Sequence, residues 1–153
     1  MTEPAANLKP LSPEEDGFLR ELGRVIFVLP ALVDADLVRE QQLTLSEYRT
    51  LVVLSEAPDR SMRMSELAGA ADLSLSGMTR LVARLENRGL IARVKCGDDA
   101  RGWNAVLTPE GLTRQQRAAP TNLASARRHL LDHLQDIDLI QLTKALRQIK
   151  SNS

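Results

Sequence analysis

The chain has 153 residues, of which 43% are hydrophobic and 26% are charged. This balance is typical of a soluble globular domain and excludes an intrinsically disordered chain. No hydrophobic run approaches the roughly 20 residues that a membrane-spanning helix needs, so no membrane association is expected. The single cysteine, Cys96, has no partner for a disulfide within the chain. Acidic residues among the first thirty positions argue against a secretory signal, so we expect a cytoplasmic protein.

The net charge of the whole chain is zero, but the charge is unevenly distributed. Residues 1–21 contain five acidic and two basic residues, a net charge of −3. Residues 74–103 contain six basic and three acidic residues, a net charge of +3. Because a phosphate-binding surface needs only a local positive face, the middle of the chain is where we expect nucleic-acid binding.

The first half of the chain is predicted to be helical. Residues 12–15 (Ser-Pro-Glu-Glu) form a capping box that begins a first helix, which Pro30 is expected to kink or split. Residues 44–47 (Thr-Leu-Ser-Glu) form a second capping box, and the helix that it begins ends before Pro58. A short third helix is predicted over residues 64–71. A fourth helix begins after the N-cap Ser74, runs to about Asn87 and is closed by Gly89.

The pattern of the chain changes after the fourth helix. Residues 90–95 and 103–107 are short strand-like runs on either side of a polar connector with two glycines, which predicts an exposed β-hairpin. Residues 108–110 (Thr-Pro-Glu) begin another helix, which is expected to reach about His133 with a bend at Pro120. A last helix is predicted over residues 137–150. The fold class is therefore mainly α with a small β-hairpin.

Residues 65–81 fit a helix-turn-helix, in which one short helix braces a second helix that enters the major groove of DNA. The small residues Ala68, Gly69 and Ala71 are predicted to let the two helices approach closely. The inward face of the fourth helix is predicted to consist of Leu75, Met78, Leu81, Val82 and Leu85. The outward face is small and polar near its start, which suits contact with base edges and phosphates. The predicted DNA-binding residues of this helix are Ser74, Ser76, Gly77, Thr79, Arg80 and Arg84.

The hairpin directly after this helix supports DNA binding, because the helix by itself would also fit an ordinary solvated surface. Arg101 lies at the predicted tip of the hairpin, and a narrow minor groove attracts an inserted arginine. The carboxylate of Asp99 is predicted to hold the Arg101 guanidinium in a fixed orientation. Asp99 and Arg101 therefore complete the set of predicted DNA-binding residues.

The central part of the chain resembles the MarR family of bacterial regulators. The matching segments are residues 45–49, 64–68, 78–86, 89–93, 99–102 and 107–111. The resemblance implies a winged helix-turn-helix that binds double-stranded DNA as a homodimer at a pseudo-palindromic operator. It implies that the fourth helix enters the major groove and that the Arg101 wing enters the minor groove. It also implies release by a small effector, often aromatic or anionic, bound between the dimerisation helices and the DNA-binding lobe.

The chain is expected to form a single domain over residues 1–153. The DNA-binding lobe is predicted over residues 44–107, and the dimerisation helices over residues 12–42 and 108–150. The outer helices carry apolar stripes that the small lobe cannot cover alone, so we expect them to pack against each other and against a second subunit.

Other functions are also compatible with parts of this pattern. A winged helix that binds only other proteins is the main alternative, and it would favour an apolar outer face on the fourth helix. We expect no enzyme, because no nucleophile–base pair, phosphate-binding loop or metal cluster is recognisable; no catalytic residue or cofactor is predicted.

His129 and His133 are one helical turn apart, a spacing that zinc can use, but no companion ligand is identifiable, so no metal site is predicted. Cys96 is interpreted as a bystander thiol.

Overall fold

The computed structural model describes residues 9–97 and 102–149. Its helices are α1 (Pro13–Gln41), α2 (Leu45–Glu56), α3 (Met64–Ala70), α4 (Leu75–Asn87), α5 (Pro109–His129) and α6 (Leu139–Arg147). Its strands are β1 (Ser61–Arg63), β2 (Ile91–Lys95) and β3 (Trp103–Leu107), and they form one antiparallel sheet in the order β1-β3-β2. Short 3₁₀ turns occupy Pro58–Arg60 and Leu131–His133. The predicted fold class, mainly helical with a small hairpin, is confirmed.

The helix starts follow the capping residues. The Ser12 hydroxyl accepts a hydrogen bond from the Glu15 amide, and the Glu15 carboxylate accepts one from the Ser12 amide at 2.8 Å. Thr44 and Glu47 form the same reciprocal pair at the start of α2. Each box satisfies amide groups that have no partner within the helix, so short-range chemistry fixes where these helices begin.

Several features differ from the sequence prediction, among them the last helix, α6, which covers Leu139–Arg147 rather than residues 137–150. Pro30 does not divide α1, which continues as one helix to Gln41. Helix α5 also continues past Pro120 but ends at His129, four residues before the predicted end. Strand β1 was not predicted, because three residues are too few to show a strand pattern; it forms by pairing with β3.

The hydrophobic core lies in the lobe formed by α2, α3, α4 and the sheet, together with the end of α1. Its largest fully buried apolar side chains are Leu37, Leu43, Leu51, Leu54, Leu67, Met78, Val82, Leu85 and Ile91. Leu37 extends this core into α1, so the long helix is attached to the lobe by the packing of its last turns.

A buried carboxylate joins α1 to α5. Asp36 is 5% exposed and accepts hydrogen bonds from the Ser125 hydroxyl at 2.7 Å, Arg39 at 2.6 Å and His129 Nε2 at 2.9 Å. Arg128 lies 3.4 Å away. The Ser125 hydroxyl first, then Arg39 and His129, hold the pKa of Asp36 well below its usual range because they stabilise the ionised form. The link fixes the C-terminal part of α5 against α1.

The N-terminal half of α1 and the whole of α6 leave apolar side chains in contact with solvent. The most exposed are Phe18, Ile26, Phe27, Ile140 and Leu146, and Ile149, which follows α6, is also exposed. Helix α6 makes only slight contact with the other described elements. None of the helices in the described ranges combines the length and apolar character that crossing a membrane requires.

Candidate nucleic-acid interface

Helices α3 and α4 meet through a tight turn. Asp72 has a positive φ of 54°, a conformation that a short polar side chain tolerates better than most, and the Leu73 amide donates to the Ala68 carbonyl at 2.9 Å. Leu67 of α3 is fully buried with Met78 of α4. Gly69 has open space around it, so its predicted role in close helix packing is wrong. The helix pair nevertheless has the predicted helix-turn-helix arrangement.

The two faces of α4 are sharply different. Met78, Leu81, Val82 and Leu85 are buried as predicted. Leu75 is 54% exposed, although the periodicity placed it on the inward face. It belongs to the first turn of α4, where it borders an open cleft rather than the core. The predicted contact residues Ser74, Ser76, Thr79, Arg80 and Arg84 are all exposed.

The first turn of α4 is chemically suited to an anionic partner. Ser74 caps the helix by accepting the Gly77 amide at 3.1 Å, and Gly77 is half-buried beneath that cap. Thr79 donates its hydroxyl proton to the Leu75 carbonyl at 2.8 Å, which leaves its oxygen free to accept from a base amino group. No acidic residue lies in this turn, so the positive end of the helix dipole is not neutralised there.

The two arginines that were predicted together have different surroundings. Arg80 is exposed on the first half of α4. Arg84 lies with its Nε 3.4 Å from the buried Glu47 carboxylate of α2. Arg88 approaches the same carboxylate at 3.3 Å and donates to the Gln42 carbonyl at 2.8 Å. The sequence did not predict this link between α2 and α4. Arg84 and Arg88 lie 37 and 41 positions after Glu47, and no local pattern indicates that residues so far apart are neighbours.

The hairpin after α4 is fixed to that helix. The Glu86 side chain accepts hydrogen bonds from the Arg93 side chain at 2.7 Å and from the Arg93 amide at 3.3 Å. Within the hairpin, Lys95 lies opposite Trp103. The predicted tip residues Asp99 and Arg101 lie outside the residues that the structure describes, so their contribution stays a prediction.

A cavity of about 490 Å³ lies between the lobe and the long helices. Its lining residues are Leu29, Pro30, Val33, Leu45, Tyr48, Arg49, Val52, Val53, Ala70 and Asn122. The walls are therefore mainly apolar, and Arg49 is the one cationic side chain among these lining residues. Burial raises the pKa of Tyr48 and outweighs the opposite effect of its hydrogen bond with Gln115.

Comparison with known proteins identifies the family. A sequence model of the MarR family matches residues 41–102. The homoprotocatechuate degradative operon repressor of Escherichia coli is 30% identical over 112 residues, which cover 73% of this chain and 74% of that protein. The chain belongs to the MarR family.

Solved structures agree with this assignment. AbsC, a MarR-family transcriptional regulator from Streptomyces coelicolor, is 38% identical, with a TM-score of 0.82 over 92% of this chain and 95% of AbsC. Sco3205 from the same organism, solved in complex with DNA, is 33% identical, with a TM-score of 0.84 over 92% of this chain and 88% of that protein. This MarR-family chain is thus a DNA-binding transcriptional regulator with a winged helix-turn-helix, and a purely protein-binding winged helix is not favoured.

Proposed function

We propose that this MarR-family chain is a cytoplasmic, homodimeric repressor that binds a pseudo-palindromic operator and releases it when a small aromatic or anionic effector binds. The observation that carries the proposal is the exposed, capped and acid-free first turn of α4, which lies beside a hairpin held to the same helix. The repressor activity of the Escherichia coli relative supports the direction of regulation. No enzymatic activity is part of the proposal.

A symmetric dimer gives the operator its geometry. The exposed apolar side chains of α1 and α6 supply the surface for a second copy, so residues 12–42 and 108–150 act as dimerisation helices around the lobe at residues 44–107. The two α4 helices then enter successive major grooves about 34–36 Å apart. Selection of binding sites from random duplex DNA tests this directly: the enriched sequences have two inverted half-sites. Enrichment of single, unpaired half-sites would contradict the dimeric arrangement.

Arg80 and Arg101 are proposed to contact different grooves. Arg80 on α4 is expected to recognise base edges, so Arg80→Ala costs about 1–3 kcal/mol and changes the sequence preference. Arg101 is expected to supply charge to a minor groove. Arg101→Ala therefore weakens binding to all sequences alike. It also reduces the magnitude of the slope of log affinity against log salt concentration by about one per arm of the dimer. Asp99→Ala has the same effect more weakly, because it frees the Arg101 guanidinium.

Fluorescence anisotropy measures these effects with the selected operator and a scrambled duplex, at several salt concentrations. Lys9→Gln, which removes an exposed charge ahead of α1, is the control for a general loss of positive charge. If Arg80→Ala and Arg101→Ala both bind the operator as the wild type does, this arrangement on DNA is wrong.

The effector is proposed to occupy the cavity between α1, α2, α3 and α5. Its apolar walls suit an aromatic ring, and Arg49 suits a carboxylate at one end of that ring. Since the lining residues belong both to the long helices and to the lobe, an occupant can change the spacing of the two lobes in a dimer. A coupling free energy of roughly 1–3 kcal/mol between effector and operator is typical of such systems.

Salicylate, followed by a panel of aromatic acids, serves as the probe. The operator affinity of the wild type is expected to fall, and Arg49→Gln is expected to bind operator normally but to lose the response. The matched control is Arg24→Gln, the same substitution at an arginine that lines a different cavity, between α1 and the end of α5. It is expected to keep the response. If the whole panel leaves operator affinity and melting temperature unchanged, the effector proposal fails while DNA binding survives.

A further inference from the structure

Trp103 is the only tryptophan of the chain, and it lies at the start of β3 with 41% of its surface exposed. Two cationic side chains from β2 lie over its ring: Arg93 Cζ is 5.9 Å and Lys95 Nζ is 5.6 Å from the ring centroid. These distances are within the range of cation–π attraction, which holds the two long side chains over the indole. The end of the two strands next to the connecting loop therefore presents an ordered cationic and aromatic surface.

This surface borders a cleft next to the recognition helix. Arg93 and Trp103 form one side of a cavity of about 200 Å³, and Leu75, Thr79 and Met64 form the other. The described part of the chain leaves Leu75 uncovered, with 54% of its surface exposed. An apolar side chain at the mouth of a cleft, opposite an exposed indole, is suited to the deoxyribose of a nucleic-acid strand.

The two cationic side chains over Trp103, Arg93 in the cleft lining and Lys95 beside it, are not equivalent. Arg93 is paired with Glu86 at 2.7 Å, so its charge is largely compensated. Lys95 is exposed, and no ion pair is found for it among residues 9–97 and 102–149. Lys95 is therefore the side chain with charge available for a phosphate, while the ion pair between Glu86 and Arg93 holds β2 against α4.

The geometry of a duplex explains what would fill the cleft. With α4 in the major groove and the wing in the neighbouring minor groove, one sugar-phosphate strand separates the two elements. We propose that this strand passes through the cleft, with a phosphate on Lys95 and its sugar packed between Trp103 and Leu75. The proposal rests on the DNA binding proposed above and adds contact residues that the sequence analysis did not include.

The intrinsic fluorescence of Trp103 gives the first test. Binding of the selected operator is expected to shield Trp103, so acrylamide quenches its emission less in the complex than in the free protein. A hairpin in which Trp103 only packs against Lys95 and Arg93 predicts equal quenching in both states. Equal quenching at saturating operator, confirmed by anisotropy of the same sample, would overturn the proposal and leave DNA binding intact.

Salt dependence gives the second test. Loss of one phosphate contact in each arm lowers the slope of log affinity against log salt by about 1.8 for the dimer, since each neutralised phosphate contributes about 0.9. Lys95→Gln is expected to show this decrease equally with operator and scrambled DNA, and Lys95→Arg to restore it. Lys9→Gln removes the same charge from an exposed position outside the cleft lining and is expected to leave the slope unchanged. If Lys95→Gln leaves the slope unaltered while Arg80→Ala abolishes the sequence preference, the proposed Lys95 contact is wrong and the proposed DNA binding by α4 still holds.

Discussion

Gly111 lies in the first turn of α5, where this helix crosses the segment between α4 and β2. A Cβ atom at this position would overlap the Leu90 carbonyl oxygen and would lie 2.7 Å from Leu107 Cδ1. Thr108, which caps the same turn, also donates to the Gly89 carbonyl at 2.7 Å. The backbone of α5 is thus in direct contact with the lobe, and only glycine permits this approach.

We expect Gly111→Ala to lower the free energy of unfolding by about 1–3 kcal/mol, because the overlapping atoms belong to the backbone and can move only by shifting α5. Gly69→Ala is the control, since nothing lies within 4 Å of its added methyl group; it is expected to stabilise by about 0.5–1 kcal/mol. Urea unfolding at one fixed protein concentration measures both. Equal stabilities of the two variants would show that α5 moves freely at Gly111.

Asp36 gives the stability of the protein a dependence on pH. Its folded-state pKa is depressed, so the ionised carboxylate stabilises the fold above the ordinary aspartate pKa, and this contribution is lost as the pH falls from there toward the folded pKa. The melting temperature of the wild type is expected to fall over this acidic range. Asp36→Asn is expected to melt lower at neutral pH and to lose this part of the decrease, whereas the exposed Asp132→Asn keeps it. A wild-type decrease that persists in Asp36→Asn would assign it to other carboxylates.

At the scale of elements, Glu47 connects α2 to α4 through two arginines of unequal weight. The Arg84 side chain is 57% exposed, whereas Arg88 is 35% exposed and also caps α1 by donating to the Gln42 carbonyl. Exposed ion pairs contribute about 0.2–1 kcal/mol, while hydrogen bonds to charged groups contribute about 1.5–3 kcal/mol. Arg88 therefore joins three helices, and Arg84 adds a weaker contact.

We expect Arg88→Ala to destabilise the protein by roughly 1–3 kcal/mol and Arg84→Ala by less than about 1 kcal/mol. Double-mutant cycles with Glu47→Gln measure the two coupling energies. The same Arg84→Ala protein also tests the predicted DNA contact, because it remains folded while losing that guanidinium. A large coupling for Arg84, with unchanged operator affinity, would reassign it from the DNA interface to the α2–α4 link.

At the scale of the whole molecule, the exposed apolar surface determines the expected assembly. The apolar positions that we expect in the interface lie on α1, on α6 and in the segment that follows α5: Phe18, Leu22, Val25, Ile26, Leu130, Leu134, Leu139, Leu142 and Leu146. Phe18 and Ile26 are about 60% exposed in the single chain, and α6 has little to pack on. In the proposed dimer a second copy buries these side chains, which removes an unfavourable contact with water.

Light scattering is expected to show a dimer at micromolar concentration, with a melting temperature that rises with protein concentration. Ile26→Asp and removal of the residues after Asp136 are both expected to give monomeric or insoluble protein. Val94→Asp, which places the same charge on an exposed apolar position of the wing, is expected to remain dimeric. A stable wild-type monomer would contradict the proposed assembly and the two-half-site operator together.

The sequence alone determined the features that depend on neighbouring residues. The capping boxes at Ser12 and Thr44 and the N-cap Ser74 were predicted correctly, because they follow from contacts within one helical turn. The buried face of α4 was also predicted correctly, except for Leu75. The order of these elements, together with the segments that resemble the MarR family, was sufficient to identify the winged helix.

Only the tertiary structure decided which distant side chains meet. Asp36 and Ser125 are 89 positions apart, and Glu47 and Arg84 are 37 apart, so no periodicity relates them. The exposure of Leu75 likewise depends on where α4 extends past its neighbours rather than on helical spacing. Local chemistry fixes the elements, whereas packing between elements fixes the pairing of buried charges and the shape of the clefts, because those depend on all of the elements at once.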